Sequence, residues 1–151
     1  MDKNKSIATL QAYATGLAAQ SLQHTVESKI FAAAGYGKLA EKYAEHATEE
    51  MGWVDKFIER ILDLGGEGKV EAAPAMPTFT DPVEYIKSDL EVSRREVPVL
   101  MQVTRSLEDD FKTYDLLRDY ALDEEEDMYW SETQLELIEK IGLQNWLTKQ
   151  L

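Results

Sequence analysis

The sequence predicts an all-α fold, a four-helix bundle with a long crossover between its second and third helices and a short fifth helix. Apolar residues recur at intervals of three and four through most of the 151 residues, the spacing of helices that bury one face. Glycine and proline interrupt this pattern mainly from Gly35 to Gly37 and from Gly65 to Asp81. These interruptions divide the chain into two helical pairs, which is the arrangement of a bundle.

Two helices fill the amino-terminal half of the chain. The first is expected over about residues 5–34 and ends at Gly35, because glycine readily adopts the backbone angles of a helix end. The second is expected over about residues 37–64 and ends at Gly65. Ionisable side chains stand among the apolar residues on both inward faces. They are His24, Glu27, His46 and Glu50.

The segment from Gly65 to Asp81 is expected to cross the length of the bundle. It holds two prolines, shows no helical period and is too long for a tight turn. The second and third helices are therefore expected to run parallel. The third helix, over about residues 82–105, opens favourably, because the Asp81 carboxylate can cap it and Pro82 suits the first helical position.

Two further helices complete the predicted bundle, over about residues 109–141 and 143–151, with Gly142 between them. The chain is long enough, and with 44% hydrophobic residues apolar enough, to bury one substantial core. We therefore expect a single domain over residues 1–151.

Composition excludes several classes of function. The formal net charge of −13 repels nucleic-acid phosphates and anionic membranes, so neither is an expected partner. The absence of cysteine excludes disulfides and thiolate metal sites. The sequence contains no run of about 18 apolar residues, the length that a membrane-spanning helix needs. The amino-terminal segment lacks the apolar core of a signal peptide, so a cytoplasmic location is expected.

Two pairs of residues have the spacing of metal ligands on one helix face. Glu124 and Asp127 stand three positions apart, as do Glu50 and Trp53 in the segment EEMGW. Residues at i and i+3 project from the same face, so two carboxylates at this spacing can bind one ion. The indole of Trp53 cannot bind a metal ion. The sequence therefore leaves open whether a metal site here is complete.

Two segments resemble bacterioferritins. EEMGWVDKFIERILDLGG is similar to the second helix of that family, and DEEEDMYWSETQLELIEKIGLQNWL is similar to its fourth helix and the exit to its tail helix. The likeness extends over most of the chain in helix order and length. It implies a ferritin-like fold, iron as the metal handled, and assembly of two-fold dimers into a homo-oligomeric shell of twenty-four subunits, in some members mixed with a second bacterioferritin subunit.

The resemblance carries over only part of the family's iron-oxidising centre. The glutamate ligand of the second helix falls on Glu50, and that of the fourth helix falls on Glu124. Their histidine partners fall on Trp53 and Asp127. Half of these four positions therefore keep the family's residue type.

The first and third helices retain less of the centre. Their glutamate ligands fall on Leu17 and on Ser93 or, with a small gap, on Glu91. No catalytic residue is assigned, and we expect weak or absent oxidation of Fe²⁺ to Fe³⁺. The metal-ligand candidates, with one inward histidine added, are Glu50, Glu124, Asp127, Glu91 and His46.

Unless these acidic residues are solvated, which is one alternative, buried carboxylates need a countercharge, and the sequence leaves two sources open. One is a guanidinium of the third helix, Arg94 or Arg95, paired with Glu124 or Asp127. The other is a metal ion in a rearranged site. The ligands of that site would be His46, Glu50 and Glu124.

Three further residues gain roles from the resemblance. Met51 matches the methionine that ligates haem b across the family's two-fold dimer interface, and the alternative for it is an apolar interface contact without haem. Glu45 and Glu49 match positions at which the family binds iron on the inner wall of its shell. A solvated acidic helix face explains these two glutamates equally well.

The sequence thus predicts an iron-storage cage subunit with a degenerate ferroxidase centre, in its more specific form the haem-binding or partner-dependent subunit of a mixed shell. One alternative is an active di-metal ferroxidase with altered ligands. Another is a non-metal structural or binding protein on a ferritin-like bundle, because fold alone does not fix function. The rate of Fe²⁺ oxidation distinguishes the first alternative, and iron content distinguishes the second.

Overall fold

A computed structural model describes all residues 1–151 as a bundle of five α-helices. The first two long helices pack along each other, as do the third and the fourth. The predicted all-α four-helix bundle with a short fifth helix is confirmed. None of the helices combines the length and the apolar character needed to cross a membrane. The helices are α1 (Lys3–Ala33), α2 (Gly37–Asp63), α3 (Pro82–Arg105), α4 (Phe111–Ile141) and α5 (Leu143–Thr148).

Aspartates cap three of the four long helices. The side chains of Asp2, Asp81 and Asp110 accept hydrogen bonds from backbone N–H groups in the first turns of α1, α3 and α4. Helix α4 begins two residues later than expected, because Asp110 serves as its cap instead of lying within it. Helix α5 ends at Thr148, short of the carboxyl terminus.

Glycines with positive φ end the first two helices where the sequence predicts. Gly35 has a φ of 92° and Gly65 a φ of 82°, both in the left-handed region that favours glycine. A side chain at either position would strain the backbone. The turn after α1 is short, so α2 returns antiparallel to α1.

The crossover from residue 64 to residue 81 runs back along α1. The backbone N–H of Lys69 donates to Oε1 of Gln11 over 3.1 Å, and Gln23 donates to the carbonyl of Pro77 over 2.8 Å. Residues later in the crossover thus contact residues later in α1, so the two segments run in the same direction. The chain returns to the end of the bundle at which α2 began, and α3 runs parallel to α2 as expected.

The core consists of two apolar clusters at opposite ends of the bundle. One includes Leu17 of α1 and Phe57 of α2. The other includes Phe31 of α1, Tyr43 of α2 and the tail residue Trp146, which is 1% exposed. The inward-facing residues between these two clusters lie in the middle of the bundle, and their side chains are polar.

Candidate functional site

A layer of ionisable side chains separates the two apolar clusters. Helix α1 contributes His24, α2 contributes His46 and Glu50, and α4 contributes Glu124, all of them buried. Asp89 of α3 completes the layer and is partly buried. These residues share helical faces with the core, so the packing that buries their apolar neighbours buries them too. Charged groups in such a place are costly unless they are paired.

His24 bridges two carboxylates of this layer. Its Nδ1 atom lies 2.5 Å from Oε1 of Glu50, and its Nε2 atom lies 3.1 Å from Oδ1 of Asp89. Gln20 donates to the second oxygen of Glu50 over 2.6 Å. Burial alone lowers the pKa of His24, but the contacts with Asp89 and Glu50 outweigh it and raise that pKa to about 10. At neutral pH an imidazolium therefore donates to both carboxylates.

The expectation that an arginine of α3 supplies the countercharge is wrong. The guanidinium of Arg94 lies 3.4 Å from a carboxylate oxygen of Glu132, and that of Arg95 lies 3.1 Å from its neighbour Glu96. Both arginines are exposed, because they stand on the solvent face of α3. The positive charge inside the bundle comes from His24 instead.

Two predicted residues lie away from the layer. Glu91 is exposed on α3, and Asp89, two residues earlier and next to the buried Leu90, points into the bundle in its place. Helical spacing from the core of α3 was the signal that could have found Asp89. Glu45 is also exposed, with its carboxylate 3.7 Å from the ammonium group of Lys42.

Two buried atoms of the layer have no hydrogen-bond partner, Nε2 of His46 and Oε1 of Glu124. Burial, followed by the charge of His24, lowers the pKa of His46 to about 4, so its ring is neutral. Burial, followed by the charge of Glu50, raises the pKa of Glu124 well above its ordinary value. The two carboxylate oxygens of Glu50 contact His24 and Gln20. Of the three ligands predicted for a rearranged metal site, only His46 and Glu124 therefore keep a ligand atom without a hydrogen-bond partner.

The places where the resemblance puts glutamate ligands on α1 and α3 hold other residue types. Leu17 is 3% exposed and belongs to an apolar cluster, and Ser93 is partly buried. Both line a cavity of about 310 Å³ between the two helices, which Glu124 also lines. Neither Leu17 nor Ser93 supplies a carboxylate at its position.

A second group of carboxylates lies between α2 and α4, and we call Glu49, Asp123 and Asp127 the α2–α4 acidic cluster. One oxygen from each of the three lies within 4.8 Å of the others. The indole N–H of Trp53 donates to Oδ2 of Asp123 over 2.9 Å. Burial, followed by the charges of Asp123 and Glu49, raises the pKa of Asp127 to about 7. The repulsion within the cluster would be relieved by a cation.

Met51 lies beside a groove between α1 and α2. The groove has a volume of about 630 Å³, and the Met51 side chain is 41% exposed. Three of its ten lining residues are hydrophobic, namely Met51, Ala44 and Ala47. The remaining lining is polar or small and includes the charged residues Lys29 and Asp55.

The chain is similar in sequence to several known proteins. Residues 7–141 match the family model described as a ferritin-like domain. A bacterial ferritin from Neisseria meningitidis serogroup B is 36% identical over 132 residues, which cover 85% of each chain. A bacterial ferritin from Pseudomonas aeruginosa is 33% identical over 140 residues, 91% of this chain and 90% of that protein. A bacterioferritin from Rhodobacter capsulatus is 27% identical over 114 residues, 74% of this chain and 71% of that protein.

Proposed function

The chain belongs to the ferritin family, and on that premise we propose that it is an iron-storage subunit in which an internal ion pair replaces the iron-oxidising centre. The observation that carries the proposal is the position of His24, whose two ring nitrogens contact Glu50 and Asp89. We infer that a positive charge of the protein's own takes the role that iron has in a ferritin centre.

The remaining donors also fit a di-iron centre poorly. The indole of Trp53 is a donor only, and it already donates to Asp123. Leu17 has no ligand atom. An imidazolium close to Glu50 repels a second cation from the same carboxylate. We therefore expect the layer to stabilise the bundle and not to oxidise Fe²⁺.

For the assembly, we propose that two-fold dimers of this chain form a cytoplasmic shell of the ferritin kind, with twenty-four subunits, alone or mixed with a second subunit type. Support comes from the family match over most of the chain and from the groove beside Met51, a face between α1 and α2 that a second copy could cover. Acidic groups at Glu45 and Glu49 are the candidates for iron contact on the inner wall, since hard oxygen ligands suit the incoming cation.

Haem at Met51 is the alternative use of the groove. The thioether is accessible, but a haem ring needs an apolar slot, and most of the lining here is polar or small, with Lys29 and Asp55 within it. The residues of this face do not fit haem well, and we favour an interface contact for Met51. A haem titration of the purified protein tests this, because ligation by Met51 would give a Soret band that Met51→Leu abolishes.

An active centre with an altered ligand set is the second candidate function. It is favoured by Oε1 of Glu124, which is buried without a partner, and by the free Nε2 of His46. An ion bound by these two atoms would need no residue of α1.

Aerobic oxidation of about two equivalents of Fe²⁺ per subunit separates these possibilities, because two-metal centres act at that stoichiometry. We expect oxidation no faster than in buffer, together with iron retained by the protein after growth with added iron. Fast oxidation that Glu124→Gln removes would contradict the proposal and establish the second candidate. No retained iron, with or without a co-expressed second subunit, would instead indicate a structural or binding protein.

A further inference from the structure

We propose that the cavity between α1 and α3 binds a small organic ammonium ion, with its charged head at Glu124 and its apolar body against the cavity walls. We call this space the α1–α3 cavity. Its volume of about 310 Å³ lies at the lower end of the range in which proteins bind small molecules. The inference rests on the proposed function in one respect only, namely that Glu124 holds no iron.

Glu124 supplies the polar end of the α1–α3 cavity. It lines the cavity from α4, its side chain is buried, and its Oε1 atom has no hydrogen-bond partner. Buried polar atoms are nearly always paired, so an orphaned oxygen in the wall of a cavity indicates a missing donor. The imidazole of His24 is not that donor, because its two nitrogens contact Glu50 and Asp89. An N–H group of a bound ligand would satisfy the oxygen.

The charge of the lining indicates a cation. The ionisable residues that line the cavity include the acids Glu96 and Glu124 but no lysine, arginine or histidine. Glu96 is exposed and has Arg95 3.1 Å away, so its charge is partly offset. Glu124 therefore provides the main attraction for a positive group, and an anion would be repelled.

The remaining walls suit an organic body rather than a hydrated metal ion. Seven of the twelve lining residues are hydrophobic, and Leu17, Val97 and Leu100 are among them. Tyr13 and Tyr120 also line the cavity, with their ring centroids 6.2 Å apart and their planes at 69°. Aromatic rings attract ammonium groups within about 6 Å of their faces. Few polar groups within apolar walls are typical of small-molecule sites.

Gly16 keeps the α1–α3 cavity accessible. It is exposed, lies well inside α1 and lines the cavity, and no atom lies within 4 Å of the place where a Cβ would stand. Glycine inside a helix is less favourable than alanine, so helix stability does not account for it. The missing side chain leaves an opening through which a small molecule can enter.

The test is a calorimetric titration of the purified full-length protein with phenethylamine, which is an ammonium ion at neutral pH. We expect one molecule per chain, with a dissociation constant of about 1 mM or tighter. Phenethyl alcohol has the same shape without the charge and should bind at least about tenfold more weakly, because a charge-assisted hydrogen bond is lost.

Two pairs of variants locate the ligand. Glu124→Gln should weaken phenethylamine binding at least about tenfold. Glu126→Gln, which changes an exposed carboxylate of α4 outside the cavity, should leave it unchanged. Ser93→Leu should abolish binding by filling the cavity, and Ser93→Ala should retain it. Urea unfolding of each variant establishes that it is folded.

Four results would overturn the proposal. They are no binding of phenethylamine by the wild type, equal affinity for phenethyl alcohol, equal weakening by Glu126→Gln, and unchanged binding in both Glu124→Gln and Ser93→Leu. The second would mean apolar binding without recognition of charge, and the third diffuse attraction to an acidic surface. Iron retained without amine binding would leave the proposed function standing, and amine binding without retained iron would leave this inference standing.

Discussion

The imidazole of His24 and the carboxylate of Glu50 meet across 2.5 Å in the middle of the bundle, where helices α1 and α2 would otherwise have to bury an unpaired anion. The second ring nitrogen reaches Asp89 of α3 over 3.1 Å. One side chain therefore links three helices electrostatically. The strength of this link is measurable, because a buried charge that loses its partner is strongly destabilising.

Replacing His24 by leucine should lower the free energy of unfolding by about 3 to 5 kcal/mol at neutral pH, the usual cost of breaking a buried ion pair from one side. Urea unfolding of both proteins at equal concentration measures the difference. Arg94→Ala is the control and should change stability by less than about 0.5 kcal/mol, since Arg94 is exposed and its ion pair with Glu132 is solvent-accessible. Equal stability of His24→Leu and the wild type would show that the ion pair contributes nothing.

The course of the backbone was predictable and the partner of each buried charge was not. Gly35 and Gly65 mark the helix ends in the sequence itself, because positive φ at these points requires glycine. The spacing within α1 places His24 on an inward face, but it cannot say which residues of other helices lie opposite. The pairing of His24 with Asp89 was missed for that reason. The resemblance pointed instead to Glu91, which is exposed.

Trp53 and Asp123 should be coupled in stability. Trp53→Phe keeps an aromatic ring near Tyr120, whose centroid lies 5.7 Å from that of the indole, but removes the hydrogen bond to the carboxylate. We expect a loss of about 1 kcal/mol. In a double-mutant cycle measured by urea unfolding, Trp53→Phe should cost almost nothing further once Asp123→Ala is present. Additive losses would mean that the bond contributes no coupling.

The cap of α4 should give the protein a pH-dependent contribution to stability. Burial alone would raise the pKa of Asp110, but hydrogen bonds from Thr113 and Arg60 outweigh it and hold that pKa below its ordinary value. A depressed pKa in the folded state stabilises the protein above the ordinary value of about 3.9, and the contribution disappears as the pH falls through the folded pKa.

The stability difference between the wild type and Asp110→Asn should therefore be largest near neutral pH and shrink below about pH 4. Chemical unfolding of both proteins across this range measures it. Asp109→Asn is the control, because Asp109 is exposed and makes no cap. A difference that stays constant from neutral pH into acid would show that the charge of Asp110 is not what stabilises the helix end.

The crossover should be held to the bundle by Glu27. This side chain is fully buried in α1 and accepts a hydrogen bond from the backbone N–H of Phe79, shortly before α3 begins. Glu27→Ala removes the acceptor, so the crossover should open locally more often and be cut several-fold faster by a protease. Glu27→Gln keeps an acceptor oxygen and should protect the segment nearly as well as the wild type. Hydrogen exchange at the Phe79 amide reports the same opening without cleavage. Unchanged exchange in Glu27→Ala would mean that packing of the crossover against α1, and not this bond, keeps the long connection in place.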